Sequence, residues 1–186
     1  EFFVLLLGAT TGMALMSSAN NLLMILLAVE LASFPSYVLA GFRKTNKIGA
    51  EASLKYVLFG AVTSSVMAYG MSLLYGLYGT LNLTELAHAM PATTGGTALL
   101  VVSIFALIIG IGFKIAAVPF HFWCPDVFEG AAIEVTAFLS VASKGAALVL
   151  LLRVVMSIAE AYGYVGHHGD LLSAPAVLAI VIGVLG

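Results

Sequence analysis

Apolar residues run along this chain in long stretches separated by short polar interruptions. Six such segments can be marked: about Phe2–Ser17, Asn21–Phe42, about Ser53–Tyr78, about Thr97–Val118, about Ala132–Ile158, and a sixth starting near Ala174. Each complete segment is near or above the roughly 20 residues that an α-helix needs to cross a bilayer. Strands of a membrane barrel would be about half as long and would alternate in polarity, which these do not. The pattern predicts an all-α, polytopic transmembrane bundle of about six helices.

The fourth segment does not stop cleanly. After Val118 the chain reads PFHFWCPDVFEGA, which holds both Pro119 and Pro125. Proline inside a helix removes a hydrogen bond and kinks or breaks it. Irregular backbone at membrane depth is tolerated only where protein or a watery cavity surrounds it, and discontinuous helices of this kind build ion-coupling sites. Two readings stand open: a helix broken within the bundle, or an interfacial loop with Trp123 as its aromatic anchor.

Composition removes several function classes. Only 9% of the residues are charged and 62% are hydrophobic, whereas an ordinary soluble domain is about 25% charged. The one cysteine, Cys124, excludes an internal disulfide and a Cys-rich metal or iron–sulfur site. A net charge of -2 with no basic cluster gives no nucleic-acid footprint. There is no Ser/His/Asp order, Gly-rich phosphate loop or CxxC pair, so nothing suggests hydrolysis or group transfer. The chain shows no signal peptide and opens and closes inside apolar runs, the pattern of an internal fragment. Arg43, Lys44, Lys47 and Lys55 are four of the seven basic residues, which puts the Arg43–Lys55 loop on the cytoplasmic side. Arg153 then falls near an outer helix end, where its side chain can snorkel to the interface.

Candidate chemistry follows from charges inside the apolar runs. Lys114 and Lys144 lie well within them, and Glu30 comes about nine residues into its segment and five before Pro35. A lysine mid-membrane costs roughly 2.5–3.5 kcal/mol on insertion scales, and such residues face the bundle interior and pair with one another. Burial disfavours the charged form of an amine and a nearby carboxylate favours it. Charges ~7 Å apart at an effective dielectric of ~20 interact by about 2.4 kcal/mol. Small changes in a Glu30–Lys114 separation therefore switch Lys114 between holding and releasing a proton, and Lys144 can receive it. Thr63, Ser64, Ser65, Ser143 and bound water can relay between them. The plainer alternatives are a pair that only fixes helix packing, or a lysine bound to a lipid headgroup. His121 either caps a broken helix end or relays protons, since imidazole titrates near neutrality. Lys55 marks the cytoplasmic interface. Asp126, Glu129 and Glu134 form either a water-facing inlet or a solvated surface. His88, His167 and His168 fall in outside loops, and the last two with Asp170 are a poor metal signal.

At these residues the chain resembles a known family. FKIAAVPFHFWCPDVFEGA followed by VTAFLSVASKGAAL is similar to the antiporter-like membrane subunits of respiratory complex I, and among them most to the N-type subunit (subunit 2). AVELASFPSYVLAGF, with Glu30, resembles that family's fifth transmembrane helix, and EASLKYVLFGAVTSS, with Lys55, its sixth. Related cation/proton antiporter subunits share the VPFHFW-like core. The N-type likeness leans on the second buried lysine, where sister subunits more often carry a histidine. Many members read GAPxPVT where this chain has GAAIEVT, so both prolines are absent and Glu134 is added.

The resemblance implies that residues 1–186 form part of an antiporter-like domain, about helices 4 to 9 of a longer subunit with a broken seventh helix. Glu30, Lys114 and Lys144 would translocate protons, with His121, Lys55, Ser143 and Glu134 as further candidate relays. The chain itself would bind no cofactor or metal. Quinone, FMN and iron–sulfur clusters would sit on partner subunits, among them neighbouring antiporter-like and small membrane subunits. The location would be a bacterial inner membrane, otherwise an energy-transducing organelle membrane. Two other readings remain: an Mrp-type cation/proton antiporter subunit, and a scaffold bundle in which both lysines are replaceable.

Overall fold

The computed structural model describes residues 1–43, 46–90 and 96–161. The helices in chain order are α1 Phe2–Ser18, α2 Leu22–Ala40, α3 Lys47–Tyr78, α4 Leu83–Ala89, α5 Thr97–Ile115, α6 Trp123–Gly130, α7 Ile133–Phe138 and α8 Lys144–Ala161, with a π-helical turn at Leu139–Ser143 joining the last two. Among the described residues, four stretches are long and apolar enough to cross a membrane: α2, α3, α5 and the composite Ile133–Ile158. The sixth predicted segment lies outside the described residues, as do His167, His168 and Asp170.

Asparagines set the helix starts. Asn21 accepts a hydrogen bond from Leu23 N (2.9 Å) and Asn46 from Ile48 N (3.1 Å), filling backbone donors that the first turn leaves unpaired. Asn46 starts α3 at Lys47 rather than near Ser53, so most of the predicted Arg43–Lys55 loop is helix. Gly79 ends α3 at φ 70, a left-handed stop that glycine adopts without penalty. The Gly79–Gly96 connection holds α4, which the hydrophobic pattern does not mark. Asn82 caps it through Thr84 N (3.0 Å), and Asn20 and Leu81 tie it to α2 through Leu83 N and Leu22 N.

The two readings of the Pro119 region separate clearly. α5 stops at Ile115, where Ala116 turns left-handed (φ 63) and Ala117 N donates back to Gly112 O at 2.9 Å. The chain then turns and restarts as α6. Pro125 falls in the first turn of α6, where its missing N–H would have no helical partner anyway. Trp123 is no interfacial anchor. It is 2% exposed, stacks on Tyr56 at 4.4 Å, and donates Nε1–H to Phe113 O at 3.1 Å. The indole thus gives a second donor to a carbonyl that the break leaves with only the Ala116 N–H, at 3.1 Å.

Both halves of the broken helix run along α3. Gly70 faces Ala106 and Gly110 faces Met67, then Tyr56 meets Trp123, Lys55 meets Asp126, and Ala52 meets Gly130. With 32 residues, α3 is about 48 Å long at 1.5 Å per residue, long enough to back α5 and α6 in succession. Arg153 on α8 donates to Ser18 O (2.5 Å) and Ala19 O (3.0 Å). It caps the end of α1, which accounts for a cation at the end opposite Arg43 and Lys47.

A Cβ at Gly130 would lie 2.6 Å from Ala52 Cβ and 2.9 Å from Ile48 O, whereas one at Gly76 would meet nothing. Gly130→Val is therefore expected to destabilise the protein by about 1–3 kcal/mol through overpacking. Gly76→Ala should be neutral or stabilising by up to about 1 kcal/mol. Thermal unfolding of the detergent-solubilised protein measures both.

Candidate functional site

Lys114 is not mid-helix. It occupies the last turn of α5, at the break, and is 4% exposed. The carbonyl end of a helix favours a cation, so the break gives this amine a partial negative environment without any acid. Its Nζ donates to the hydroxyl of Ser33 on α2, and Ser33 in turn donates to Val29 O. Three rings close around the amine: Phe113 at 5.5 Å, Tyr37 at 5.6 Å and Tyr56 at 6.0 Å from Nζ to centroid. Desolvated cation–π contacts are each worth about 2 kcal/mol. A carboxylate at 4 Å would contribute about 4 kcal/mol at an effective dielectric of 20. At 5.5–6.0 Å the three rings lie near the outer limit of such contacts, so together they are of the same order as that salt bridge.

Glu30 lies one turn before Ser33 on α2, within electrostatic reach of Lys114. Among the described residues its carboxylate forms no ion pair, and its Oε1 is buried without a hydrogen-bond partner. The amine and the acid are thus near one another without forming an ion pair. Tyr37 lies one turn beyond Ser33 on α2. Its ring fits against α3 only because residue 60 is glycine: a Cβ there would fall 1.9 Å from the Tyr37 hydroxyl. Glu30, Ser33 and Tyr37 recur at helical spacing and so share one face of α2.

Lys144 begins α8 directly after the π turn, and such turns recur at functional sites. It is part-buried, its Nζ lies 5.1 Å from the Phe128 centroid, and it is within electrostatic reach of the Cys124 thiol. Ser143, inside the π turn, is buried. The remaining candidates sit apart from Lys114 in kind. Lys55 bonds Asp126 and Glu51 at 2.8 Å each, all of them substantially exposed, so solvent screens that cluster. His121 stacks on Phe122, with Nδ1 buried and unpartnered. Glu134 is exposed in the first turn of α7, where a negative charge suits the helix dipole. Thr63 and Ser65 point their hydroxyls back to Gly60 O and Ala61 O. His88 is exposed near the end of α4, and no group of three or more His, Cys, Asp or Glu suited to a metal occurs among the described residues.

Sequence reasoning passed over Ser33, Tyr37 and Gly60. Their spacing from Glu30 was available, since positions 30, 33 and 37 form one stripe. Nothing in the linear pattern brings that stripe to Lys114, 81 residues away from Ser33.

A buried lysine at the break of a half-helix, with an acid near it on a neighbouring helix, thus sits inside an apolar bundle of membrane-length helices. The transmembrane family described as NADH:quinone oxidoreductase/Mrp antiporter matches residues 19–186, and the chain belongs to this family of integral membrane proteins. Among its relatives, the NADH-quinone oxidoreductase subunit N of Anaeromyxobacter sp. (strain Fw109-5) is 46% identical over 162 residues, covering 83% of this chain and 31% of that protein. The NAD(P)H-quinone oxidoreductase subunit 2 of Gloeobacter violaceus is 47% identical over 184 residues, covering 98% and 35%. The chain spans about a third of the length of these curated relatives. In respiratory complex I from Thermus thermophilus with bound Aureothin, one chain superposes with a TM-score of 0.73 at 40% identity, covering 82% of this chain and 34% of that one. A chain of the Mrp complex from Dietzia sp. DQ12-45-1b gives 0.75 at 24% identity, covering 88% and 30%, a likeness of fold alone.

Enlarging residue 60 tests the packing of the site. Gly60→Val is expected to displace Tyr37 and lower stability by about 1–3 kcal/mol. Tyr37→Phe keeps the ring and removes only its hydroxyl, at a cost of about 1 kcal/mol or less. Thermal unfolding of the two solubilised variants compares them.

Proposed function

We infer that the chain is part of a proton-translocating membrane subunit of an NADH-quinone oxidoreductase. The observation that carries this reading is Lys114: an amine buried at a helix break, held by a hydroxyl and three rings, with a carboxylate near but not in contact. Such a group is poised between charge states, because its neighbours compensate the charged form only in part. Movement of Glu30 toward Lys114 favours a bound proton, and movement away favours release. Lys144, with the thiol of Cys124 beside it, receives the proton along the bundle, and repulsion discourages both amines from being charged together. His121, Lys55, Ser143 and Glu134 are candidate relays to the aqueous side. The redox groups, with quinone, flavin and iron–sulfur clusters, belong to partner subunits. The membrane would be the bacterial inner membrane or its organellar counterpart, and the partners neighbouring antiporter-like and small membrane subunits. The names of the relatives that are 46% and 47% identical support this reading.

The second reading is an Mrp-type cation/proton antiporter subunit, favoured by the shared fold of the Dietzia complex. Copurification with peripheral redox subunits decides against it, as does transport insensitive to sodium.

Lys114→Ala in the intact complex is expected to lower proton pumping coupled to quinone reduction at least tenfold while the complex still assembles. Unimpaired coupled pumping contradicts the assignment. Replacing Lys114 and Lys144 together by Met is expected to abolish pumping; a fully active double variant would support the scaffold reading instead. Both are read from proton uptake by inverted membrane vesicles.

A further inference from the structure

α2 offers the buried amine two different partners one helical turn apart, and they differ in kind. Ser33, fully buried, receives the Lys114 amine. Its own hydrogen is committed to Val29 O, so toward Lys114 it acts only as an acceptor. An acceptor of this type holds a charged ammonium or a neutral amine, since both carry N–H donors. Glu30, three residues earlier, is a carboxylate and selects the charged form. Residues three apart on a helix have Cβ atoms about 5–6 Å apart, a distance that the long lysine side chain covers by a change of rotamer. The buried, unpartnered Oε1 of Glu30 is an acceptor of the kind that native proteins rarely leave empty.

We propose that Ser33 is a catalytic residue of this site, the position from which Lys114 gives up its proton, and that Glu30 marks the position in which Lys114 holds it. The amine bonded to Ser33 has no counter-ion in contact, while the same amine on Glu30 is ion-paired. The other titratable groups are placed to leave that contrast intact. Tyr37 from α2 and Tyr56 from α3 face the amine through their rings. Cys124 of α6 reaches Tyr56, and Lys144 of α8 stands beside Cys124. Glu30 is the one acid within electrostatic reach of Lys114 among the described residues. In the transfer itself, one N–H bond of the ammonium breaks, its electron pair stays on Nζ, and the proton passes to water or the next basic group. Ser33 keeps its own hydrogen throughout.

This inference rests on the proton-translocating reading, and the test separates the two. Ser33→Ala and Ser33→Thr are introduced into the intact complex, and pumping per quinone reduced is followed against pH in membrane vesicles. Alanine removes the releasing position and leaves only Glu30, which favours the charged amine. Release then requires more alkaline conditions, so the pH dependence should move up by about one unit, a tenfold change in proton occupancy, with slow pumping at neutral pH. Threonine keeps the hydroxyl and should keep the wild-type pH dependence. An alanine variant with an unshifted pH dependence overturns the proposal, whether its rate is normal or uniformly reduced. A threonine variant shifted like alanine overturns it too. If Lys114→Ala pumps normally the underlying reading fails, whereas an impaired Lys114→Ala beside an unshifted Ser33→Ala removes only the role of Ser33.

Discussion

An amine taken out of water must be compensated or it will not stay charged. That constraint organises this bundle around Lys114. A full salt bridge would fix the charge, and a purely apolar pocket would remove it. The protein does neither: the carbonyl end of α5, the hydroxyl of Ser33 and the faces of Phe113, Tyr37 and Tyr56 each supply part of the compensation. The carboxylate of Glu30 is kept close but out of contact. A residue held in this balance responds to small displacements, which a proton-transfer step requires.

The helix break is possible because other elements take over what it interrupts. Trp123 donates to the carbonyl of Phe113 and stacks on Tyr56. The long α3 backs both halves, and the close contact at Gly130 seats the second half against it. The break and the site are therefore one structure. The same turn that ends α5 places Lys114 at its polar end, and the same aromatic stack that covers the break lines the pocket of the amine.

Much of this was legible in the chain. The apolar segments predict the spanning helices within a few residues, because membrane length and hydropathy constrain them strongly. Pro119 and Pro125 announce the break, and Glu30, Lys114 and Lys144 stand out because charge is costly in apolar surroundings. What was not legible depends on tertiary contact. Asn46 starts α3 well before its apolar segment and Asn82 starts α4, which the hydrophobic pattern misses, since caps act locally and carry no periodicity. Trp123 fits an interfacial anchor as well as a broken helix until α3 is packed beside it. Ser33 looks like any serine in a membrane helix until α5 delivers Lys114 to it. Arg153 conflicts with the charge asymmetry of the loops until its contact with the end of α1 is seen.

The central claim is that Lys114 acts by gaining and losing a proton, not as a fixed positive charge. Arginine separates these possibilities, since its guanidinium keeps the charge but does not deprotonate in proteins. The decisive measurement is proton pumping coupled to quinone reduction in a Lys114→Arg complex shown to be fully assembled. The account predicts that pumping is lost, and an assembled arginine variant that pumps at the wild-type rate would contradict it.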